Sequence, residues 1–281
     1  MTTRNLADTH MRRVIRNLQT FFPALQDARY RLKFAWMQSS GRPHEEDFEV
    51  LRRFPDEGPP RTFVDIGSNR GEAITSMRML AADNVDIVGF EPNPLIFAKL
   101  KAYVDDCAGV TVHNCGLSDV DADHELHVPF YRGWMFDGLS SFVYSRAEDW
   151  LRTRMWGYRE RNLEVKSVQC ALRRLDDFQL DPYFVKIDVQ GYEMEVLRGA
   201  ETTLKLSKPI LLIESLEAPG REFLAGLGYD FYRYSDGTFY RGRGSLNTFC
   251  MTAERYAEVN GGTEVADVRP TPAGVRSAVA S

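Results

Sequence analysis

The chain has 281 residues, of which 43% are hydrophobic and 27% are charged, and its formal net charge is −5. This is the composition of an ordinary water-soluble globular protein, and the acidic balance argues against nucleic acid or another anionic polymer as a partner. No apolar run is long enough to span a bilayer, the first residues lack the apolar region of a signal peptide, and the cysteine spacing fits no zinc site. We therefore expect a cytoplasmic protein with reduced thiols and no integral membrane segment.

Residues 1–55 are predicted to form an N-terminal helical extension. Apolar side chains recur there at helical spacing, with arginines on the other side. We expect this helix to pack on the main domain or on a second copy of the chain, as in a homodimer. The alternative is a basic amphipathic helix that touches a membrane, but the apolar stretch is short and the chain is acidic. The apolar positions are Met11, Val14, Ile15, Leu18, Phe21 and Phe22, and the arginines are Arg12, Arg13 and Arg16.

Residues 56–258 are predicted to form the main domain. The chain-breaking sequence PDEGPPR at 55–61 marks its beginning. Short apolar runs then alternate with helical stretches, which predicts an α/β fold: a mostly parallel sheet with helices on both faces. Two late runs, YDFYRYS and LNTFCMT, are close enough to pair antiparallel at the edge of the sheet. Residues 259–281 are small, polar and interrupted by Pro and Gly, which predicts a disordered tail.

Residues 119–182 interrupt this alternation. The segment is rich in aromatic side chains that follow no regular period. A long aromatic insertion beside a ligand crevice is often a substrate-binding lid, and a small satellite core under a long loop explains the composition equally well. The aromatic residues are Phe130, Tyr131, Trp134, Phe136, Phe142, Tyr144, Trp150, Trp156 and Tyr158.

The first strand ends in DIGSNRG, which is a candidate cofactor loop containing Asp65, Gly67, Asn69 and Gly71. Glycines at this place let a ligand approach the backbone, and the ligand of an open α/β sheet lies at the carboxyl ends of its strands. The dinucleotide pattern G-x-G-x-x-G fails, because Asn69 and Glu72 stand where glycines are required. An acidic loop suits S-adenosylmethionine, which has no phosphate and carries an ammonium and a sulfonium. The alternative for Asp65 is a cap at the strand end.

The next two strands end in further candidate cofactor residues. In FEPNP, Asn93 and Pro94 are explained by a helix start, but Glu91 is not. A carboxylate at this point can accept both hydroxyls of a ribose, and Pro92 follows it directly. After the third strand, Gly116 and Leu117 fall where an adenine ring would lie.

Six sequence motifs in order resemble the FkbM family of S-adenosylmethionine-dependent methyltransferases: FVDIGSNRGE, GFEPNP, GLSSF, LDDF, VKIDVQGYEMEVLRGA and PILLIES. The resemblance runs from about residue 62 to 215 and continues weakly to about 252. It implies a class I methyltransferase (Rossmann-like) fold and O-methylation of a hydroxyl on a sugar, glycolipid or secondary metabolite. The family usually has D-V-E-G-x-E, and Gln190 here replaces its first Glu. If that Glu is a base or a metal ligand, activity would be altered or lost.

The candidate catalytic residues are Lys186, Asp188 and Glu193. Lys186 and Asp188 are two apart on a strand, so they point the same way and can neutralise each other near the catalytic edge. Glu193 lies on the first turn of the following helix. Because the acceptor hydroxyl must lose its proton, we expect Asp188 or Glu193 to orient and deprotonate it. The structural alternatives are a turn cap for Asp188 and a helix N-terminal charge for Glu193. Glu214, which ends PILLIES, is a further carboxylate at this edge.

A metal is not expected, although Asp188, Glu193 and Glu214 could hold Mg²⁺ through oxygen ligands. The sequence DADHELH also contains Asp121, Asp123, His124 and His127, but it alternates as an exposed strand does. Two other functions stay open. One is an NAD(P)-dependent oxidoreductase on a related fold, which the broken dinucleotide pattern disfavours. The other is a non-catalytic cofactor-binding module, which the replacement at Gln190 would permit.

Overall fold

The structure, a computed structural model, describes residues 17–55, 58–82, 84–142, 144, 151–152, 155 and 157–261. Within these ranges the strands are β1 (Arg61–Ile66), β2 (Val85–Phe90), β3 (Val110–His113), β4 (Gly116–Leu117), β5 (Ala122–Tyr131), β6 (Trp134–Met135), β7 (Leu163–Arg173), β8 (Pro182–Ile187), β9 (Ile210–Glu214), β10 (Asp230–Ser235), β11 (Thr238–Arg241) and β12 (Asn247–Met251). The α-helices are α1 (Gln26–Ser40), α2 (Glu72–Leu80), α3 (Pro94–Val104), α4 (Glu193–Arg198), α5 (Glu201–Ser207), α6 (Ala218–Gly226) and α7 (Ala253–Asn260). Short 3₁₀ segments include Glu46–Arg53, Asp137–Leu139 and Leu175–Phe178.

The main sheet has eight strands in the order β11-β10-β12-β9-β8-β1-β2-β3. Strands β3, β2, β1, β8 and β9 are parallel, whereas β12 pairs antiparallel with both β9 and β10. The predicted α/β class with a mostly parallel sheet is confirmed. The antiparallel end is larger than expected, because a turn at Asp236 and Gly237, both with positive φ, adds β11 as the edge strand. This Asp-Gly pair between alternating residues is a typical hairpin signal.

Apolar side chains cover both faces of the main sheet, as a parallel sheet requires. On one face Phe63 and Phe184 pack in a cluster with side chains from α2, α3, α7 and the segment Glu46–Arg53. On the other face Val64 and Val185 pack with side chains from α4, α5 and α6. Successive residues of β1 and β8 thus serve opposite faces. Asp65 and Lys186 lie on the same face as Phe63 and Phe184, and the two are register partners.

A second, four-stranded sheet occupies much of the aromatic insertion, in the order β4-β7-β5-β6. Its main part is the long antiparallel pair of β5 and β7, in which Ala122 faces Leu172 and Tyr131 faces Leu163. Trp134 and Phe136 are buried in a small cluster beside this sheet, which agrees with a satellite core. Trp150 and Trp156 lie outside the described residues.

Helix α1 of the N-terminal segment packs against the main domain through a buried face. Phe34 stacks on Tyr103 with ring centroids 4.4 Å apart, and Met37 is buried. The expected apolar positions Met11, Val14 and Ile15 lie outside the described residues, as do residues 262–281 of the expected tail. None of the helices within the described ranges combines the length and the apolar composition that a bilayer crossing requires.

Candidate active site

The carboxyl ends of β1, β2 and β8 meet at one edge of the main sheet, next to β4 of the second sheet. The backbone N–H of Gly67 donates to Phe90 O at 3.0 Å, and that of Asp188 donates to Ile66 O at 3.0 Å. A cleft opens at this edge, the place where an open α/β sheet binds its ligand. It is lined by Ile66, Gly67, Asn69, Phe90, Glu91, Pro92, Gly116, Leu117, Leu126, Asp137, Gly138, Ser140, Phe142, Asp188, Val189 and Gln190.

The loop after β1 forms the floor of this cleft, and its backbone requires glycine at Gly67. Gly67 has φ +86°, and a Cβ there would lie 1.9 Å from the carbonyl oxygen of Asp188. Asn69 also has a positive φ, of 47°, and its buried Oδ1 has no hydrogen-bond partner among the described residues. Gly71, with φ +99°, precedes α2 and packs on Leu100, so it shapes the loop without lining the cleft.

Glu91 connects two of the strand ends. Its buried carboxylate accepts the backbone N–H of Asn69 at 2.7 Å and that of Asn93 at 2.8 Å. Burial raises the pKa of Glu91 to about 7, although these two hydrogen bonds act in the opposite direction. Each carboxylate oxygen has a second lone pair, so Glu91 can still accept two hydroxyl groups from a ligand.

Asp65 lies beneath the cleft rather than on its surface. Only 1% of the residue is exposed, and its Oδ2 has no hydrogen-bond partner among the described residues. Burial raises the pKa of Asp65 to about 7, while Ser68 and the charge of Lys186 lower it. An unsatisfied buried carboxyl oxygen is costly, which is consistent with a group that becomes satisfied through a ligand.

The apolar end of the cleft is formed where the two sheets meet. Gly116 and Leu117 form β4, as a pair with the end of β7. A Cβ on Gly116 would lie 2.8 Å from Leu172 and 3.3 Å from Pro92, so the strand can approach the β2 tip only with glycine. Leu126 and Phe142 complete this end. A flat ring would be enclosed here by apolar atoms.

The wall opposite the first loop comes from the segment Asp137–Leu139, which the sequence analysis did not assign to the site. Asp137 lines the cleft, and its carboxylate forms a salt bridge with the Arg70 guanidinium and accepts from Gln26 Nε2 at 3.1 Å. Burial raises the pKa of Asp137, although Arg70 opposes this shift. The family motif GLSSF, residues 138–142, directly follows Asp137 and was the one sequence feature that pointed to this segment, but it assigned no role to Asp137.

The structure brings only Asp188 of the three catalytic candidates to the cleft. Asp188 Oδ1 accepts from Gln190 Nε2 at 2.8 Å. Glu193 is buried outside the cleft lining, and its Oε1 accepts the backbone N–H of Gly191 at 2.8 Å. Glu193 is the first residue of α4, where the structural alternative placed its charge, and this contact adds a hydrogen bond to the turn before the helix. Glu214 lies beside Asp188, and burial together with the Asp188 charge raises the pKa of Glu214 to about 8.

Lys186 is buried behind the cleft in a polar network that the sequence analysis did not find. Its Nζ donates to Asn247 Oδ1 at 3.2 Å, in place of the expected direct contact with Asp188. The Asn247 amide donates in turn to Glu45 at 2.8 Å and to Asp47 at 2.9 Å. The ammonium is therefore balanced by carboxylates of the N-terminal segment, which lies about two hundred residues away in sequence from Asn247.

The residues considered for a metal do not form a group of three or more within the described ranges. Asp123, His124 and His127 lie along β5 and are not part of the cleft lining, and Asp121 precedes that strand. No group of three or more His, Cys, Asp or Glu side chains within the described ranges is arranged to hold a metal ion. The question of a metal thus stays a prediction.

Comparison with known sequences gives one family. Residues 65–233, more than half of the chain, match the model of the methyltransferase FkbM domain. A curated relative, Methyltransferase 1 from Beauveria bassiana (strain ARSEF 2860), is 31% identical over 163 residues, which are 53% of this chain and 60% of that protein. The chain thus spans less than two thirds of the length of this relative.

Similar folds occur among solved structures. The crystal structure of methyltransferase FkbM from Methylobacillus flagellatus KT is 17% identical with a TM-score of 0.46, covering 74% of this chain and 48% of that one. Fibrillarin from Aeropyrum pernix, in complex with natively bound S-adenosyl-L-methionine, is 11% identical with a TM-score of 0.37, covering 73% of each chain.

Proposed function

This chain belongs to the FkbM methyltransferase family, and we propose that it is an S-adenosylmethionine-dependent O-methyltransferase. The acceptor is a hydroxyl group of a sugar, glycolipid or secondary metabolite. One observation carries the choice of cofactor: the cleft lining contains three carboxyl side chains, Glu91, Asp137 and Asp188, and no Lys, Arg or His among the described residues. A pyrophosphate would be repelled by such a lining, whereas an ammonium and a sulfonium are attracted to it.

The polar atoms of the cleft fit this cofactor. Glu91 has free lone pairs for two ribose hydroxyls, and the unpartnered Oδ1 of Asn69 is a further acceptor at the same end. Gly116, Leu117 and Phe142 would enclose the adenine. Asp65, below the first loop, adds negative potential at the amino-acid end. When bound, S-adenosylmethionine would supply a methyl group that is activated for transfer by its sulfonium.

The residues of this chain would position the acceptor and take its proton. Alignment of two bound reactants lowers a barrier by as much as about 7–11 kcal/mol. Asp188 is the base, and the proton of the acceptor hydroxyl moves to its carboxylate. The pKa of Glu214, raised to about 8 by burial and by the Asp188 charge, lets Glu214 carry a proton near neutral pH beside the proposed base.

Gln190 is compatible with this role for Asp188. The amide donates to Asp188 Oδ1 at 2.8 Å, and an amide donor stabilises the ionised form of its partner. A glutamate at this position, when ionised, could only repel that carboxylate. Gln190 therefore orients the proposed base without supplying a charge of its own.

Titration calorimetry on the full chain tests the cofactor. We expect S-adenosylmethionine and S-adenosylhomocysteine to bind and NAD and NADP not to bind. Glu91→Gln should weaken the binding of S-adenosylmethionine by roughly tenfold to a hundredfold, the range for the loss of a hydrogen bond to a charged group. Glu222→Gln, the same change at an exposed site on α6, should leave the affinity unchanged. Binding of NAD but not of S-adenosylmethionine would contradict the proposal.

Methyl transfer to a panel of hydroxylated acceptors tests the reaction class. Radioactive methyl from S-adenosylmethionine should appear on a sugar, glycolipid or secondary-metabolite hydroxyl. Cofactor binding with no transfer to any acceptor would instead favour the non-catalytic module.

A further inference from the structure

The N-terminal segment exposes a concentration of large apolar side chains that the proposed reaction does not use. Of the eleven large apolar side chains that are exposed among the described residues, six lie between residues 18 and 36. Exposed apolar residues that are scattered singly need no explanation, but a contiguous group marks an interaction site. We call this group the N-terminal patch, and it consists of Leu18, Phe21, Phe22, Leu25, Leu32 and Trp36.

Helix α1 has a second apolar face in addition to the one that packs on the domain. Its buried face contains Phe34 and Met37. Leu32 and Trp36 are four residues apart on α1, and Leu25 directly precedes the helix, seven residues before Leu32. The three therefore follow one stripe on a different side from Phe34 and Met37. Leu32 is 72% exposed and Trp36 is 54% exposed. A helix that only packs on its own domain needs a single apolar face, so this stripe has another partner.

The charge around the N-terminal patch is the opposite of the charge of the whole chain. Between residues 17 and 36 the sequence has three cationic residues, Arg29, Arg31 and Lys33, and one carboxylate, Asp27, although the net charge of the chain is −5. Lys33 pairs with Glu72 at 3.0 Å, and Arg29 and Arg31 are exposed. Asp27 is itself neutralised by Arg70 and Lys99, each at 2.6 Å. A further guanidinium, that of Arg132, lies 3.9 Å over the ring of Phe21.

The helix that carries the patch is fixed to the domain near the cleft. Gln26 Nε2 donates to Met135 O at 2.7 Å, and Arg70 joins Asp27 of α1 to Asp137 of the cleft wall. The Arg70 guanidinium also lies 4.3 Å over the ring of Tyr30. The exposed stripe is therefore presented by a rigid element.

We propose that the N-terminal patch docks this protein on an anionic lipid surface. Aromatic and leucine side chains beside Lys and Arg are the chemistry of a helix that lies at a membrane interface, where apolar side chains enter the acyl boundary and cations face lipid phosphates. A second copy of the chain fits less well. A two-fold interface sets a patch against itself, and here that would bring like charges together.

Vesicle flotation with the full chain tests this proposal. We expect the wild type to float with vesicles of phosphatidylcholine and phosphatidylglycerol, and to bind at least about tenfold more weakly to phosphatidylcholine alone or at high salt. Leu32→Glu with Trp36→Glu should weaken the binding at least about tenfold. The control is Leu206→Glu, which changes a side chain that is 79% exposed on α5 and should keep wild-type binding.

Three results would overturn the proposal. One is a wild type that does not float with the anionic vesicles, and another is an equal loss of binding in the Leu206→Glu control. The third is a wild-type dimer in analytical ultracentrifugation that the double variant converts to a monomer, since the patch would then bind a second copy. Thermal melting of all variants checks that each is folded, and a surface change of this kind should leave the melting temperature close to that of the wild type.

Discussion

The two halves of the cleft are built by different kinds of contact. In the first half, which holds Gly67, Asn69, Glu91, Gly116 and Leu117, backbone groups fix the geometry: the N–H groups of Gly67 and Asn69 bond to the end of β2 at 3.0 and 2.7 Å. In the second half, which holds Asp137, Asp188 and Gln190, side chains bond to side chains: Gln190 donates to Asp188 at 2.8 Å, and Asp137 forms a salt bridge with Arg70. The first half is a fixed site that suits an invariant cofactor. The second half consists of polar and charged side chains, which suits proton transfer and selection of the acceptor.

The largest expected effect is a loss of turnover without a loss of cofactor affinity, which distinguishes the two halves of the cleft. Asp188→Asn should lower turnover by about 10²–10⁴-fold, the usual contribution of a general base, because the amide cannot take the acceptor proton. The affinity for S-adenosylhomocysteine should change by no more than a few fold, since the first half is intact. Steady-state kinetics and calorimetry measure the two quantities. Asp123→Asn, on the exposed part of β5, is the matched control. Full turnover in Asp188→Asn would show that Asp188 is not the base.

The next effect tests the rigidity of the first half. Gly67→Ala should destabilise the fold, because φ +86° costs roughly 1–3 kcal/mol for a non-glycine residue. The clash of its Cβ with the Asp188 carbonyl adds overpacking of about 1–3 kcal/mol. Chemical denaturation measures the free energy of unfolding. Gly226→Ala is the control, since its Cβ meets nothing within 4 Å, and it should be neutral or slightly stabilising. Equal stability of both variants would show that the loop is not constrained.

The acidity of the cleft predicts how cofactor affinity depends on pH. The pKa of Glu91 and that of Asp65 are both raised by burial to about 7, and a cationic ligand binds the ionised forms more strongly. The Kd for S-adenosylmethionine should therefore rise as the pH falls below 7, by up to about tenfold per pH unit for each of the two carboxyl groups, and level off above it. Calorimetry at about pH 6 and about pH 7.5 measures this change. Glu91→Gln should reduce the dependence to the contribution of Asp65, and a wild-type affinity that is constant with pH would argue against carboxylates as the ligand-binding groups.

A smaller effect tests whether Glu214 titrates in the folded protein. Its folded pKa of about 8 is above the ordinary value of 4.5, so the folded state holds the proton more tightly. This contribution to stability is complete below pH 4.5 and is lost as the pH rises towards about 8. Glu214→Gln, which cannot ionise, should therefore raise the melting temperature relative to the wild type at about pH 9 more than at about pH 5, with about 2–4 °C for each kcal/mol. A difference that is the same at both pH values would contradict the raised pKa.

The smallest effect concerns Glu193. Because Glu193 accepts the N–H of Gly191 and does not line the cleft, Glu193→Gln should cost no more than about 1 kcal/mol of folding stability, the scale of a helix N-terminal charge. Turnover should remain within a few fold of the wild type. A loss of turnover as large as that of Asp188→Asn would make Glu193 the base instead.

The first half of the cleft could be predicted from the sequence because its residues follow directly after strands. Gly67, Glu91 and Gly116 each follow an apolar run in the sequence, and the parallel order of strands brings those ends to one edge. The motifs are local, so periodicity and turn chemistry are sufficient to place them. The same logic found Asp188 after β8.

The rest depends on contacts that no local pattern records. Asn247 meets Glu45 and Asp47 only because β12 inserts between β9 and β10. Asp137 reaches the cleft because β5 and β7 pair over ten residues and carry its segment with them. That pairing was obscured by Pro129 within β5 and by the irregular stretch between the two strands. For the same reason the predicted partner of Lys186, Asp188, was wrong, and Lys186 instead donates to Asn247.

The most direct test of the central claim is a crystal structure of the full chain with S-adenosylhomocysteine. We expect the ligand in the cleft, with both ribose hydroxyls within hydrogen-bond distance of the Glu91 carboxylate and the adenine between Leu117 and Phe142. A ligand bound elsewhere, or ribose hydroxyls that do not contact Glu91, would contradict the claim that the carboxyl-lined cleft is the methyl-donor site.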